Sequence, residues 1–289
     1  MMDTRKFAVL ILSLCALLAQ AQVPKDKTLL WSISGQGLPQ TSYLFGTMHL
    51  VCENDFELDQ SVQDKLRQSQ QLVLEVDMDD PEMASKMMQA MFMKDGSTLQ
   101  DLMAPATYQH LEGYFKDSLG YDLALFQNTL PFLLLGPMFN GLLDCEPKSF
   151  ENELMTIAME QKLEVVGLES IEEQMAVLGK IPYAKQAEMV TALVANLPKA
   201  KEEFRSLVAT YQTQDIDRLY RLSENSEFDM QTYDKELLAD RNQAWIGRMA
   251  EGMKVKSSFF AVGAAHLGGE EGLISLLRDA GYEVLPVFK

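Results

Sequence analysis

Twice in this 289-residue chain an apolar run ends at a glycine, and three residues later stands a histidine. The first instance is "SYLFGTMH", residues 42–49; the second is "FFAVGAAH", residues 259–266. The whole sequence holds three histidines, so two in one local setting constrain the fold more than any other feature. Each apolar run predicts a short strand, and the glycine lets the backbone turn tightly where the strand ends. After the first motif, Leu58, Val62 and Leu66 are spaced by four and predict one face of a helix. "QLVLEVDM" at 71–78 then predicts the next strand. After the second motif a helix around 270–280 is expected to stop at Gly281, and "YEVLPVF" at 282–288 to close as a strand. The order strand–GxxH–helix–strand thus occurs at both ends of the chain. It predicts an α/β fold in which two such units form a central sheet, with a large helical insertion between them.

In parallel α/β sheets, ligands bind beyond the carboxyl ends of the strands. If both units share one sheet, His49 and His266 converge there, and two imidazoles at one edge make half a metal site. Carboxylates would complete it. Glu75 interrupts the apolar strand "LVLEVD", where a buried and unpaired carboxylate would be costly, so a partner is implied. Asp77 follows two residues later on the same face. Glu169 ends the strand "LEVVGLES", and Glu151 opens a helix expected to run from an N-cap at Ser149 to Gln161. Favourable charge at helix N-termini is the competing account of Glu151 and Glu169. Arg241 and Asn242, in "LLADRNQAW", form an apolar-flanked pair able to neutralise a carboxylate or hold an oxyanion. His110, in "TYQHLEGYF" on an expected helix, lacks the strand–glycine setting and reads as structural.

The middle of the chain, about 81–253, reads as mainly helical. Helices are expected over Pro81–Lys94, Pro105–Leu119 and Asp122–Asn140, the last interrupted by Pro131 and Pro137. Residues 171–253 are helical again, with a break near 223–230. The methionines of 83–93 suit a core or a groove wall, because Met adapts to irregular surfaces.

Residues 1–21 have the pattern of a secretory signal peptide: Arg5-Lys6, an apolar stretch to Ala19, and the small-x-small site Ala19-Gln20-Ala21. The stretch is shorter than the roughly 20 apolar residues needed to span a bilayer. Cleavage would remove Arg5, Lys6 and Asp3, leaving 23 basic and 41 acidic side chains and a net charge of −18. Such a balance argues against nucleic acid as a partner, and no transmembrane segment is expected in the mature chain. Export places the remaining Cys52 and Cys145 in an oxidising compartment, periplasmic or extracellular. A disulfide between them and a ligand role for Cys52, three residues after His49, both stay open.

Taken in order, "YLFGTMH", "LVLEVD", "GLESIEEQ", "DRNQAW" and "FFAVGAAH" resemble the TraB/PrgY/GumN family, to which the TIKI metalloproteases are related; the exported bacterial GumN-like branch is the nearest match. The resemblance covers roughly 29–289 and implies one domain over residues 22–289. It implies a divalent-metal hydrolase, with His49, His266 and Glu75 as ligands, Glu75 alternatively as general base, and Arg241 steadying negative charge. Glu151 and Glu169 fall in a recurring acidic stretch and are second-rank candidates. The metal would be manganese, cobalt or zinc, and the substrate a peptide or protein. Related erythromycin esterases extend the chemistry to esters, and haem-handling relatives support an alternative, a non-catalytic metal-, haem- or peptide-binding protein.

Overall fold

The computed structural model describes residues 27–224 and 231–288. The expected signal peptide, and residues 225–230 of the expected break, lie outside the described residues. Eight strands occur among those described: β1 (Leu30–Ser34), β2 (Ser42–Thr47), β3 (Val51–Cys52), β4 (Gln71–Val76), β5 (Pro147–Lys148), β6 (Glu164–Glu169), β7 (Ser258–Gly263) and β8 (Glu283–Pro286). Six form one sheet in the order β6-β4-β7-β2-β1-β8. β6, β4, β7 and β2 are mutually parallel, while β1 is antiparallel to both its neighbours.

β7 shows why such a strand sits in the middle. Phe259, Phe260, Ala261 and Val262 are all buried, so both faces of the strand meet side chains, as a central parallel strand requires. Leu72, Val73 and Leu74 do the same for β4. The helix Gln60–Gln68 buries Val62 and Leu66 at the expected spacing of four and joins β2 to β4. The helix Leu273–Asp279 buries Leu273, Ile274 and Leu277 and joins β7 to β8; beyond it Gly281 has φ +89°, a conformation open to glycine. The two expected units are therefore both present, and they interleave. β7 of the second lies between β2 and β4 of the first.

β1 has no counterpart in the sequence reading, although its "LWSIS" is partly alternating. The stretch Asp122–Asn140 also differs from expectation, being two short 3-10 turns, Leu123–Phe126 and Pro131–Leu134, and a helix Leu135–Leu142. The backbone before Pro131 bonds elsewhere: Asn128 accepts from Met93 and Leu130 donates to Met91. That pairing also ends the expected 81–94 helix early, at Met83–Ala90. Met83, Met87 and Met93 pack in a small satellite core with Leu130 and Met175, whereas Met88 is exposed.

β3 and β5 form a two-residue ribbon beside the main sheet, and Cys52 and Cys145 are bridged across it, with Cα atoms 5.6 Å apart. The bridge leaves no thiolate at Cys52 for a metal. No helix among the described residues is long and apolar enough to cross a membrane.

Candidate functional site

The carboxyl ends of β2, β7, β4 and β6 lie side by side, and each delivers one polar side chain. His49 comes two residues after β2, and His266 ends a 3-10 turn, Ala264–His266, directly after β7. Glu75 lies near the end of β4, and Glu169 ends β6, paired in register with Val76. Parallel pairing sets Thr47 beside Gly263, which brings the two histidine loops together. Two helices add the remainder: Glu151 from the first turn of Phe150–Gln161, where Ser149 is the N-cap, and Arg241 from the first turn of Asp240–Val255.

Gly263 is where these groups meet. A Cβ there would lie 3.3 Å from Oε1 of Glu75, 3.7 Å from Cδ2 of His266 and 4.0 Å from Nε2 of His49. The Gly263 N–H itself donates to Glu75 Oε1 at 2.8 Å. A side chain would press on that carboxylate, so a residue without one belongs here. Gly46 serves the neighbouring loop, since its Cβ would come within 3.1 Å of the Ala264 backbone.

Arg241 is fully committed. Its Nη2 donates to Glu75 Oε2 and Glu169 Oε1, each at 2.6 Å, and its Nε to Glu169. Its Nη1 donates to the Leu237 carbonyl and to Nε2 of His266 at 3.2 Å. The guanidinium lies 4.7 Å from the Trp245 ring, whose indole N–H reaches Glu169 Oε2. Gln174 bonds weakly to both carboxylates. Burial opposes ionisation of Glu75, but His266 when protonated, Arg241, His49 and the Gly263 N–H outweigh it and lower Glu75 to about 2. Since His266 is itself held neutral, Arg241 supplies the constant part of that field.

His266 is buried, 4.6 Å from the Trp245 ring. Asn242 gives its amide N–H groups to the carbonyls of His266 and Glu271, so its Oδ1 must accept the 2.7 Å bond from Nδ1 of His266. The hydrogen is then on Nδ1, and the lone pair of Nε2 faces the cluster. Burial lowers His266 to about 3, Glu75 opposing and Arg241 reinforcing the shift.

His49 is the open side of the site, with 70% of its side chain accessible. Its Nδ1 lies 2.8 Å from Oε1 of Glu151. This is an ion pair more than an aligned hydrogen bond, because the buried Oε1 otherwise has no hydrogen-bond partner. Glu151 Oε2 accepts from Ser149 at 2.7 Å. The Glu151 contact raises His49 to about 9 against the opposing effect of crowding. Its wide exposure lets solvent screen that pairing.

Of the residues singled out from the sequence, His49, Glu75, Glu151, Glu169, Arg241, Asn242 and His266 stand in this network. Glu151 and Glu169 prove to hold His49 and Arg241, a tertiary role that outweighs helix-end electrostatics. His266 lies inside the core and not, as the strand-end motif suggests, in an exposed loop. Asp77 sits apart, its carboxylate raised to about 6 by burial and by Asp79. His110 is exposed on the helix Pro105–Tyr114. The sequence reading missed Trp245, four residues and one helical turn from Arg241, and Gln174, in the "SIEEQ" that follows β6.

The resemblance implies a divalent ion, and the donors suit one. Both histidines have Nδ1 engaged, by Glu151 and Asn242, as metal-binding imidazoles with ordered partners do. Glu75 Oε1 lies 3.8 Å from Nε2 of His266. Among the described residues no three His, Cys, Asp or Glu side chains already surround one point as a ligand set. Arg241 stands among the donors, satisfying the lone pair that an ion would take.

The TraB/PrgY/gumN family matches residues 29–286. The chain is 22% identical to the metalloprotease TIKI2 of Danio rerio over 88% of its own length and 60% of that protein. It is 24% identical to the human metalloprotease TIKI1, over 88% of this chain and 61% of that one. TIKI2 of Xenopus tropicalis is also 24% identical, with 92% and 61% covered. The chain thus spans about three-fifths of the length of these relatives. No solved structure matches it.

Proposed function

Because the chain belongs to the TraB/PrgY/gumN family, we propose that it is a divalent-metal-dependent hydrolase acting on peptides, with its site at the convergence of His49, His266 and Glu75. The observation that carries the reading is the paired orientation of the histidines, each held at Nδ1 by its own partner and each directing Nε2 toward the site; His49, protonated at neutral pH, would release its Nε2 proton on taking up an ion. The resemblance to proteins named metalloproteases supports the reaction class.

His49, His266 and Glu75 would hold the ion, and manganese, cobalt or zinc suits such a histidine–carboxylate set. The ion would supply Lewis acidity toward a carbonyl and toward water. The other work falls to the chain. Glu75, held below the usual carboxylate range at neutral pH by Arg241, by protonated His49 and by the Gly263 N–H, is a poor proton acceptor there, which favours its role as ligand over that of general base. Glu151 orients His49, and Glu169 holds Arg241 over Trp245. Every N–H of Arg241 is engaged, so it meets a developing oxyanion only by giving up one contact. Its Nη1 bond to His266 is the one to release, since Nε2 of His266 would then serve as a ligand.

The same acidity of Glu75 favours a second reading, a protein that binds metal, haem or peptide without turnover. Loading the protein anaerobically with each metal, then assaying a peptide library, separates the two. His49→Ala and His266→Ala should each greatly reduce bound metal, with His110→Ala as control. Equal stoichiometry in all of them would end the metal reading. Turnover abolished in Glu75→Gln marks an enzyme, whereas a binder shows no turnover in either form. We place the protein outside the cytoplasm after cleavage near Ala21. The disulfide supports that placement, and a mature N-terminus at Gln22 by intact mass would test it.

A further inference from the structure

A cavity of about 480 Å³ lies between the helix Met83–Ala90 and the helix Ile171–Leu178. Its walls include Lys86, Lys94 and Lys180, the rings of Phe92 and Tyr183, and the thioether of Met175. Glu172 is the one acidic residue lining it. Three lysines against one glutamate reverse the character of a chain with 42 acidic and 25 basic residues. Lys86 is bound to Asp80 at 2.8 Å and to Glu82 at 3.4 Å. Neither Lys94 nor Lys180 forms an ion pair within 4.0 Å among the described residues, although Lys180 lies near enough to Asp240 to help lower that carboxylate.

The wall is firmly built. The Lys94 backbone N–H donates to the Tyr183 hydroxyl, Phe92 bridges to Thr129, and the backbone bonds of Met91 and Met93 to 128–130 hold the segment extended. Phe92 is nonetheless 41% exposed, an aromatic ring left facing the opening. A second cavity, of about 370 Å³, shares Lys86 and Glu172 with the first, so the two adjoin. Its lining reaches Ser170 and Glu169, and Glu169 is the carboxylate that grips Arg241. Both volumes fall in the range of ligand-binding clefts.

We infer that these adjoining cavities are a substrate groove that receives an acidic, partly apolar polypeptide segment and leads it toward the histidine site. The inference rests on the peptidase reading for what happens at the site, but not for binding in the groove. Lys94 and Lys180 receive carboxylates of the segment, while Phe92 and Met175 receive its apolar side chains. Nearer the site the lining turns more acidic, with Asp77, Asp80, Glu169 and Glu172 against Lys86 and Arg248, so the acidic residues of the ligand lie away from the bond to be cleaved. Two compartments of this volume that share Lys86 and Glu172 suit a chain better than a small anion. Lysine ammonium groups set inside an otherwise acidic surface also give selectivity, because most anions are repelled before they reach them.

The probe is a fluorescent peptide of alternating Glu and Leu, compared with counterparts carrying Gln or Lys in place of Glu. Anisotropy with the intact protein should show the Glu peptide binding best, with affinity falling as salt rises. Lys94→Glu with Lys180→Glu should weaken it by about tenfold or more, 1.4 kcal/mol per decade, without changing the metal content. Equal binding of the three peptides, or no loss in the double variant, would overturn the groove. So would displacement of the peptide by equimolar succinate or phosphate, which would make the cavity a small-anion site. Cleavage measured alongside keeps the two readings apart. Binding without cleavage fails the peptidase and leaves the groove, whereas cleavage indifferent to acidic residues does the opposite.

Discussion

Replacing Arg241 with Met keeps most of the volume and removes the cation on which two buried carboxylates depend. The side chains of Glu75 and Glu169 are only 12% and 5% accessible, and each lies 2.6 Å from Nη2 of Arg241. Removing one partner of such a buried arrangement typically costs about 3–5 kcal/mol, because the remaining charge has neither water nor counter-ion. For a chain of this size that corresponds to a fall of about 6–20 °C in Tm. The sign of the pH dependence follows from the protons. In the wild type Glu75 is depressed from 4.5 to about 2, so its contribution is complete above the ordinary carboxylate value and is lost progressively as pH falls from there to about 2. In Arg241→Met the carboxylates are raised instead, and the folded state takes up protons as pH drops from 7 to 5. Urea unfolding at the two pH values should therefore show the gap between variant and wild type narrowing on acidification. Adding Glu75→Gln and Glu169→Gln should recover much of the loss, which the deviation from additivity measures directly. A cost under about 1 kcal/mol, or a gap independent of pH, would refute the electrostatic account.

His266 should make the protein acid-sensitive: it is neutral when folded down to about 3 but titrates near 6.5 when unfolded, so stability is lost as pH falls from 6.5 toward 3. In the metal-free protein, His266→Gln should flatten that limb of a stability–pH curve. Asn242→Ala should strip Nδ1 of His266 of its acceptor, costing about 1–3 kcal/mol in denaturant melts and about 10- to 100-fold in metal affinity by titration. Unchanged affinity would show that His266 needs no such orientation. Cys145→Ser opens a disulfide spanning 93 residues and should cost about 2–5 kcal/mol in melts; alkylation of the denatured, unreduced wild type should label neither cysteine.

Five strands of the main sheet, β2, β4, β6, β7 and β8, and the two histidine motifs were legible because glycine, apolar runs and four-residue spacing are local signals. So was the N-cap at Ser149, whose hydroxyl accepts from the Asn152 N–H as a Ser before a helix should. The interleaving of the units was not, since nothing in "FFAVGAAH" says which strands it will separate. Glu151 and Glu169 looked like helix-end charges because their partners lie far along the chain, Glu169 meeting Arg241 across 72 residues. Trp245 carried a local hint, one turn beyond Arg241, but only the assembled sheet gives its indole a carboxylate to meet. Asp122–Asn140 was misjudged for a related reason: its backbone groups find partners in 91–93, and local helical preference yields to that pairing.

The place of β7 between β2 and β4 has a consequence for how the chain comes into being. Gly263 lies 188 residues beyond Glu75, so at 5–20 residues per second the ribosome needs roughly 10–40 s to go from one to the other. Throughout that interval β2 and β4 lack the strand that separates and joins them, and each exposes an unpaired edge. A nascent chain in this state should lean on holding factors or stay extended until β7 is made. It also means that Glu75 and His49 stay apart until β7 arrives and sets its glycine beside them both.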